Sequence, residues 1–154
     1  MVKVILYVLL GLIGVFVAVM GLYKSEVSST SYTSYDDAMS KGAIGVYKWL
    51  PSIVPKSAYQ INESHDVDSN EVWFTFRFND QFGSLPDGCS RTNRDAITIR
   101  SPRGWDRFPS FVRKASADVI KQSVHLYKCH GESFHYFFAI DEEANSAIGW
   151  SNGS

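Results

Sequence analysis

The chain has 154 residues, 45% apolar, 20% charged and 14% aromatic, with a formal net charge of −1. That length suits one domain of ordinary size. The composition excludes a disordered chain, and the near-neutral balance argues against a protein built as a whole to coat nucleic acid.

Val4 to Tyr23 is a run of 20 residues with no charge, Pro, Asn or Gln. As a helix it would span ~30 Å, the thickness of a bilayer core. Lys3 and Lys24 flank it, and Tyr7 and Tyr23 lie near its ends, where interfacial aromatics sit. The competing reading is a cleaved signal peptide, but the run is longer than such a segment needs. Its best cleavage site, Val19-Met20-Gly21, lacks small residues at the required spacing. We therefore expect residues 1–24 to be an uncleaved, single-pass anchor in the inner (plasma) membrane. The positive charges on the two sides are nearly tied, while two cysteines favour an oxidising compartment, so the domain is expected outside the cytoplasm. Gly14-x-x-x-Ala18 fits helix pairing, although Gly is common in membrane helices generally.

Residues 25–34 are rich in Ser and Thr and read as a short tether, leaving 35–154 as the folded domain. Ser34 is a candidate N-cap, followed by Asp36 and Asp37 in the first turn, so a short helix is expected from Tyr35 to Lys41. Trp49-Leu50-Pro51 and Pro55 bracket a stiff segment. Ala58 to His65 reads as a strand, Asp66 to Asn70 as a turn and Glu71 to Asn79 as a second strand. In that second strand Val72, Phe74, Phe76 and Phe78 fall on one face, and Trp73, Thr75 and Arg77 on the other. Alternation this strict predicts one buried face. Farther on, strands are expected at Ala96 to Arg100, Val124 to Cys129 and Ser133 to Ile140, an edge strand at Ala147 to Trp150, and a helix opening at Pro109. The fold class is α+β: an antiparallel sheet of five or six strands with one or two short helices.

Several groups of residues bear on chemistry. Asp66-x-Asp68-x-Asn70 places oxygen ligands at alternate positions, as a hard cation would want, but the Gly and Glu of an EF-hand loop are absent. A hairpin turn that bonds its own backbone explains the same residues. His125, Cys129, His130 and His135 are zinc-type ligands, yet four positions along a strand separate His125 from Cys129 by ~13 Å. No metal or cofactor is expected. Cys89 and Cys129, the only cysteines, are expected to pair outside the cytoplasm and to close a loop of about 40 residues, the alternative being two free thiols. No nucleophile motif, zinc-protease motif or phosphate loop occurs, so no catalytic residue is assigned and an enzyme is not expected.

Charge is uneven along the chain. Arg91 to Lys114 holds seven basic residues and two acids, a balance of +5, interleaved with Trp105, Phe108 and Phe111. Arg91, Arg94, Arg100, Arg103, Trp105 and Arg107 are the candidate binding residues, because a planar guanidinium bonds carboxylates in pairs and stacks on rings. A solvated surface paired with the acids of Glu63 to Glu71 accounts for the same pattern. A protein partner is expected, nucleic acid is not, and the oligomeric state is open.

Leu50-Pro51-x-x-x-Pro55-x-Ser57-Ala58-x-x-Ile61, followed by His65-Asp66-x-Asp68-x-Asn70-Glu71-x-Trp73, resembles a group of small bacterial proteins that begin with a membrane helix or a lipoprotein signal. The resemblance implies an envelope-associated protein and supplies no catalytic residue. This chain departs from the lipoprotein members in having no Cys after its apolar run. Two functions follow as expectations: an immunity- or inhibitor-type binding protein at the membrane, or a structural accessory subunit of a membrane complex.

Overall fold

Among the described residues seven antiparallel strands, rather than the five or six expected, form one sheet in the order β1-β2-β3-β7-β6-β5-β4. The strands are β1 (Val27–Ser34), β2 (Tyr59–Asp66), β3 (Glu71–Arg77), β4 (Cys89–Arg91), β5 (His125–His130), β6 (His135–Asp141) and β7 (Ser146–Asn152); one helix, α1 (Tyr35–Ser40), follows β1. The computed structural model describes residues 11–15, 27–45, 47–79, 88–93, 95, 97, 110, 124–130 and 135–152. The expected strand at Ala96 to Arg100 and helix from Pro109 lie largely outside these residues. So does most of the expected span: residues 11–15 are helical, with Leu12, Ile13 and Val15 exposed. Among the described residues no helix is long and apolar enough to cross a membrane.

The sheet is two meanders joined along β3 and β7. The first runs β1-β2-β3 and the second β4-β5-β6-β7, and the last strand of each lies against the other. The expected hairpin is present, with Asp66 opposite Glu71. Asp66 Oδ1 accepts the backbone N–H of Asp68 (2.9 Å) and of Ser69 (3.2 Å), and Asn70 takes a left-handed conformation (φ +54°). These residues close the turn with their own side chains, as Asp and Asn do at such positions.

Two expectations about strand position need correction. Residues 27–34, read as a tether, form β1. Ser and Thr composition suggests a linker, but cross-strand pairing decides otherwise: Ser29 Oγ meets Ser64 Oγ at 2.9 Å, Ser31 Oγ donates to Asn62 Oδ1 at 2.8 Å, and Tyr32 is buried in the core. Ala147 to Trp150, read as an edge strand, belong to β7, which sits in the middle of the sheet between β3 and β6. A short apolar stretch does not reveal its neighbours, which the chain reversal after β6 supplies.

One face of the sheet carries the larger core. Tyr32, Ile61, Val72, Phe74, Phe76, Phe138, Ile140 and Ala147 pack there beneath Ala38 of α1 and Ile44, Leu50, Val54 and Ala58. The helix begins where expected: Ser34 Oγ accepts the Asp37 N–H at 3.2 Å, and Gly42 (φ +66°) follows its end. The other face is also covered, contrary to the single buried face expected. Trp73, Trp150 and Phe137 stack in series across three strands (centroids 5.6 and 5.5 Å) with Leu126 and Ala139. Val72, Phe74 and Phe76 share one face of β3 as expected, while Trp73 on the opposite face is 1% exposed.

Candidate functional site

Cys89 and Cys129 are directly opposite each other on β4 and β5 and form a disulfide. His130 N–H donates to the Gly88 carbonyl at 3.0 Å, so the two cysteines occupy a non-hydrogen-bonded pair, where strands come closest. Gly88 adopts φ +94°, a conformation open to glycine and strained for other residues. Two residues on, Thr92 N–H donates to the Leu126 carbonyl at 2.9 Å and the Arg91 guanidinium donates to His125 Nδ1 at 2.7 Å. A guanidinium has no acceptor, so in this bond Arg91 donates and His125 Nδ1 accepts.

The consequence concerns the basic stretch. Residues 92–124 leave from β4 and return to β5, its immediate neighbour, and the disulfide and the Arg91–His125 bond tie the two ends together. A long insertion rooted on two clamped strands is how rigid scaffolds present binding segments. Of the candidate binding residues, Arg91 lies at this root and is exposed; Arg94, Arg100, Arg103, Trp105 and Arg107 lie outside the described residues.

The acidic region differs from its sequence reading. Instead of forming a solvated surface, Glu63, Asp66 and Glu71 are buried, and of the four acids from Glu63 to Glu71 only Asp68 is exposed. Glu63 is opposite Phe74 on the main core face and is 2% exposed. Its Oε1 accepts from His65 Nδ1 at 2.5 Å, and the His65 ring stacks flat on Trp49 (centroids 4.0 Å, planes within 7°). Trp49 thereby caps the core beside the hairpin through this histidine. Two rows away, Tyr32 is held above the usual phenol range by burial and by the nearby charge of Glu63, with Lys41 over its ring at 5.6 Å. Burial alone raises Tyr136 in the same sense. At the surface, Lys41 bonds Asp37 at 2.9 Å and, with the Thr33 N–H, holds that carboxyl below its ordinary range.

Sequence reasoning passed over the Glu63–His65–Trp49 group. The available signal was positional: Ile61, Glu63 and His65 alternate on one face of a strand whose first member is plainly core. A carboxylate at such a position needs a partner.

The zinc-type residues are not brought together as a ligand set. Cys129 is oxidised, and His135 stands opposite His130 with the rings edge to face at 4.7 Å. Among the described residues no group of three or more His, Cys, Asp or Glu is placed to hold a metal ion. Asp66 spends one oxygen on its own turn, Asp68 is exposed and Asn70 is half-buried.

Residues 26–77 match the family model of the YbbD head domain. That interval is β1-α1-β2-β3, the first meander with the segment covering it, and it ends at the last residue of β3. The match therefore includes Trp49, Glu63 and His65 and excludes the disulfide and the basic stretch. It supports the broader part of the resemblance, a family of small bacterial proteins. No curated protein and no solved structure matches the chain.

Proposed function

We propose that this chain is a non-catalytic binding protein of the bacterial envelope. Residues 1–24 anchor it in the inner membrane, the folded part lies outside the cytoplasm, and the basic stretch from Arg91 to Lys114 engages an acidic protein partner in the manner of an immunity or inhibitor protein. The observation that carries this reading is the clamped root of the stretch: β4 and β5 are joined by Cys89–Cys129 where the segment leaves and returns. The disulfide also supports an oxidising location. Arginine and aromatic residues in a segment whose two ends are pinned suit an acidic partner, the charge steering its approach and the rings adding apolar contact.

A second reading, an accessory subunit held in a membrane complex by residues 1–24, is favoured by the uncharged 20-residue run and its Gly14-x-x-x-Ala18 spacing. One set of measurements separates the two. Carbonate extraction should leave the full chain in the membrane fraction. Capture from envelope extracts should then depend on the folded part and fall, with reduced salt sensitivity, in the Arg103→Glu/Arg107→Glu variant. Capture that survives the double reversal and requires residues 1–24 would replace the first reading with the second.

A further inference from the structure

The sheet has two edges, and they are guarded unequally. β4 is three residues long, carries Arg91 and is cross-linked to β5. Short length and charge are the usual protections of an edge strand. β1 is eight residues long, Val-Ser-Ser-Thr-Ser-Tyr-Thr-Ser, with no charge and no Pro, and among the described residues it pairs on one side only, with β2.

The direction of its free backbone groups follows from the ladder. Phe78 N–H donates to the Asn145 carbonyl, so the even positions of β3 direct their backbone toward β7 and the odd ones toward β2. Carried across the register of β2, this makes the even positions of β1 bond β2 and leaves Val27, Ser29 and Ser31 directed outward. Thr33 is the next in that series, and its N–H is already taken by Asp37 Oδ2 at 3.0 Å. The open edge therefore consists of three residues centred on Ser29.

We propose that this edge pairs with the same edge of a second copy of the chain, antiparallel, with a two-fold axis at Ser29. That register sets Val27 against Ser31 of the other copy, Ser29 against Ser29, and Ser28 against Thr30. It uses every outward group and leaves the Asp37 cap undisturbed. An axis at Ser31 would instead bring Ser29 against Thr33, whose donor is occupied. The three outward pairs exchange two hydrogen bonds each, and the cross-strand neighbours are neutral hydroxyl residues, which favour one another and oppose no like charges. Self-complementarity of this kind is what an isologous contact requires. The contact is small, so association depends on concentration, and it joins two sheets into one of fourteen strands. It is independent of the basic stretch and of the function proposed for it.

Sedimentation equilibrium of the full chain in detergent tests this. The natural protein should show a monomer–dimer equilibrium. Ser29→Pro removes an outward N–H that β2 does not use, so it should keep the far-ultraviolet spectrum and the disulfide while remaining monomeric. Ser29→Lys and Ser29→Glu should each weaken association several-fold, and an equimolar mixture of the two should restore it. A chain that stays monomeric at its highest soluble concentration overturns the proposal. So does a dimer unaffected by the Pro, Lys and Glu substitutions, which would place the contact in another part of the chain.

Discussion

The ring of Phe74 on β3 fills the space in which a side chain at Gly149 on β7 would begin. The two residues are cross-strand partners, and a β-carbon at 149 would overlap the ring itself. The ring is fully buried, with Tyr136 and Phe138 meeting it edge to face at 6.4 and 5.5 Å, so it has nowhere to move. Gly149→Ala should therefore destabilise the protein by about 1–3 kcal/mol, the usual cost of overpacking. Urea denaturation checks this. Adding Phe74→Leu to Gly149→Ala should recover part of the loss relative to the sum of the two single changes.

The two faces of β3 make a second test. Phe74→Ala and Phe76→Ala should each cost about 3–5 kcal/mol, as large buried aromatics do. Trp73→Ala should cost a similar ~3–5 kcal/mol, because it breaks the stack with Trp150 on the opposite face. Thr75→Ala, half-buried on that same face and bonded weakly to Asn62 at 3.4 Å, should cost under ~1 kcal/mol. A large loss at Thr75, or none at Trp73, would contradict the second core.

The buried pair beneath Trp49 is expected to act as a unit. Glu63→Ala leaves the His65 Nδ1 donor without its acceptor, and His65→Ala leaves a carboxylate in the core. Each should cost about 1–3 kcal/mol. The double variant should cost clearly less than the sum, since the second removal takes away a group already orphaned by the first. Additive losses in a double-mutant cycle would mean that the two side chains do not stabilise each other.

The disulfide is expected to carry a measurable share of stability. Peptide mass spectrometry without reduction should recover Cys89 linked to Cys129. Reduction and alkylation should lower the unfolding free energy by about 4 kcal/mol, the chain-entropy value for a closed loop of this size. Free thiols in the native protein would remove both this prediction and the support that the bond lends to an oxidising location.

Much of this molecule is legible in its sequence. The β2–β3 hairpin, the α1 cap at Ser34, the faces of β3 and the Cys89–Cys129 pairing all rest on neighbours close in sequence or on a choice with one solution. Alternation with a period of two assigns side chains to faces, and Ser followed by two Asp residues supplies a helix start within four positions. Two cysteines offer a single connectivity. In the same way, the apolar run before residue 24 and the charge of the 91–114 stretch are local properties of composition.

Only the tertiary structure decided the rest, because it depends on contacts between distant segments. A Ser/Thr stretch is a linker or an edge strand according to whether another strand accepts it, and β2, some 35 residues away, does. Residues 146–152 became central when β3 took them as a partner, and this buried Trp150 against Trp73 and left room for no side chain at 149. Glu63 reads as one more surface acid until its strand is paired on both sides and Trp49 closes over His65. Sequence periodicity says which residues share a face; what lies above that face is set by packing, and packing has no local signature.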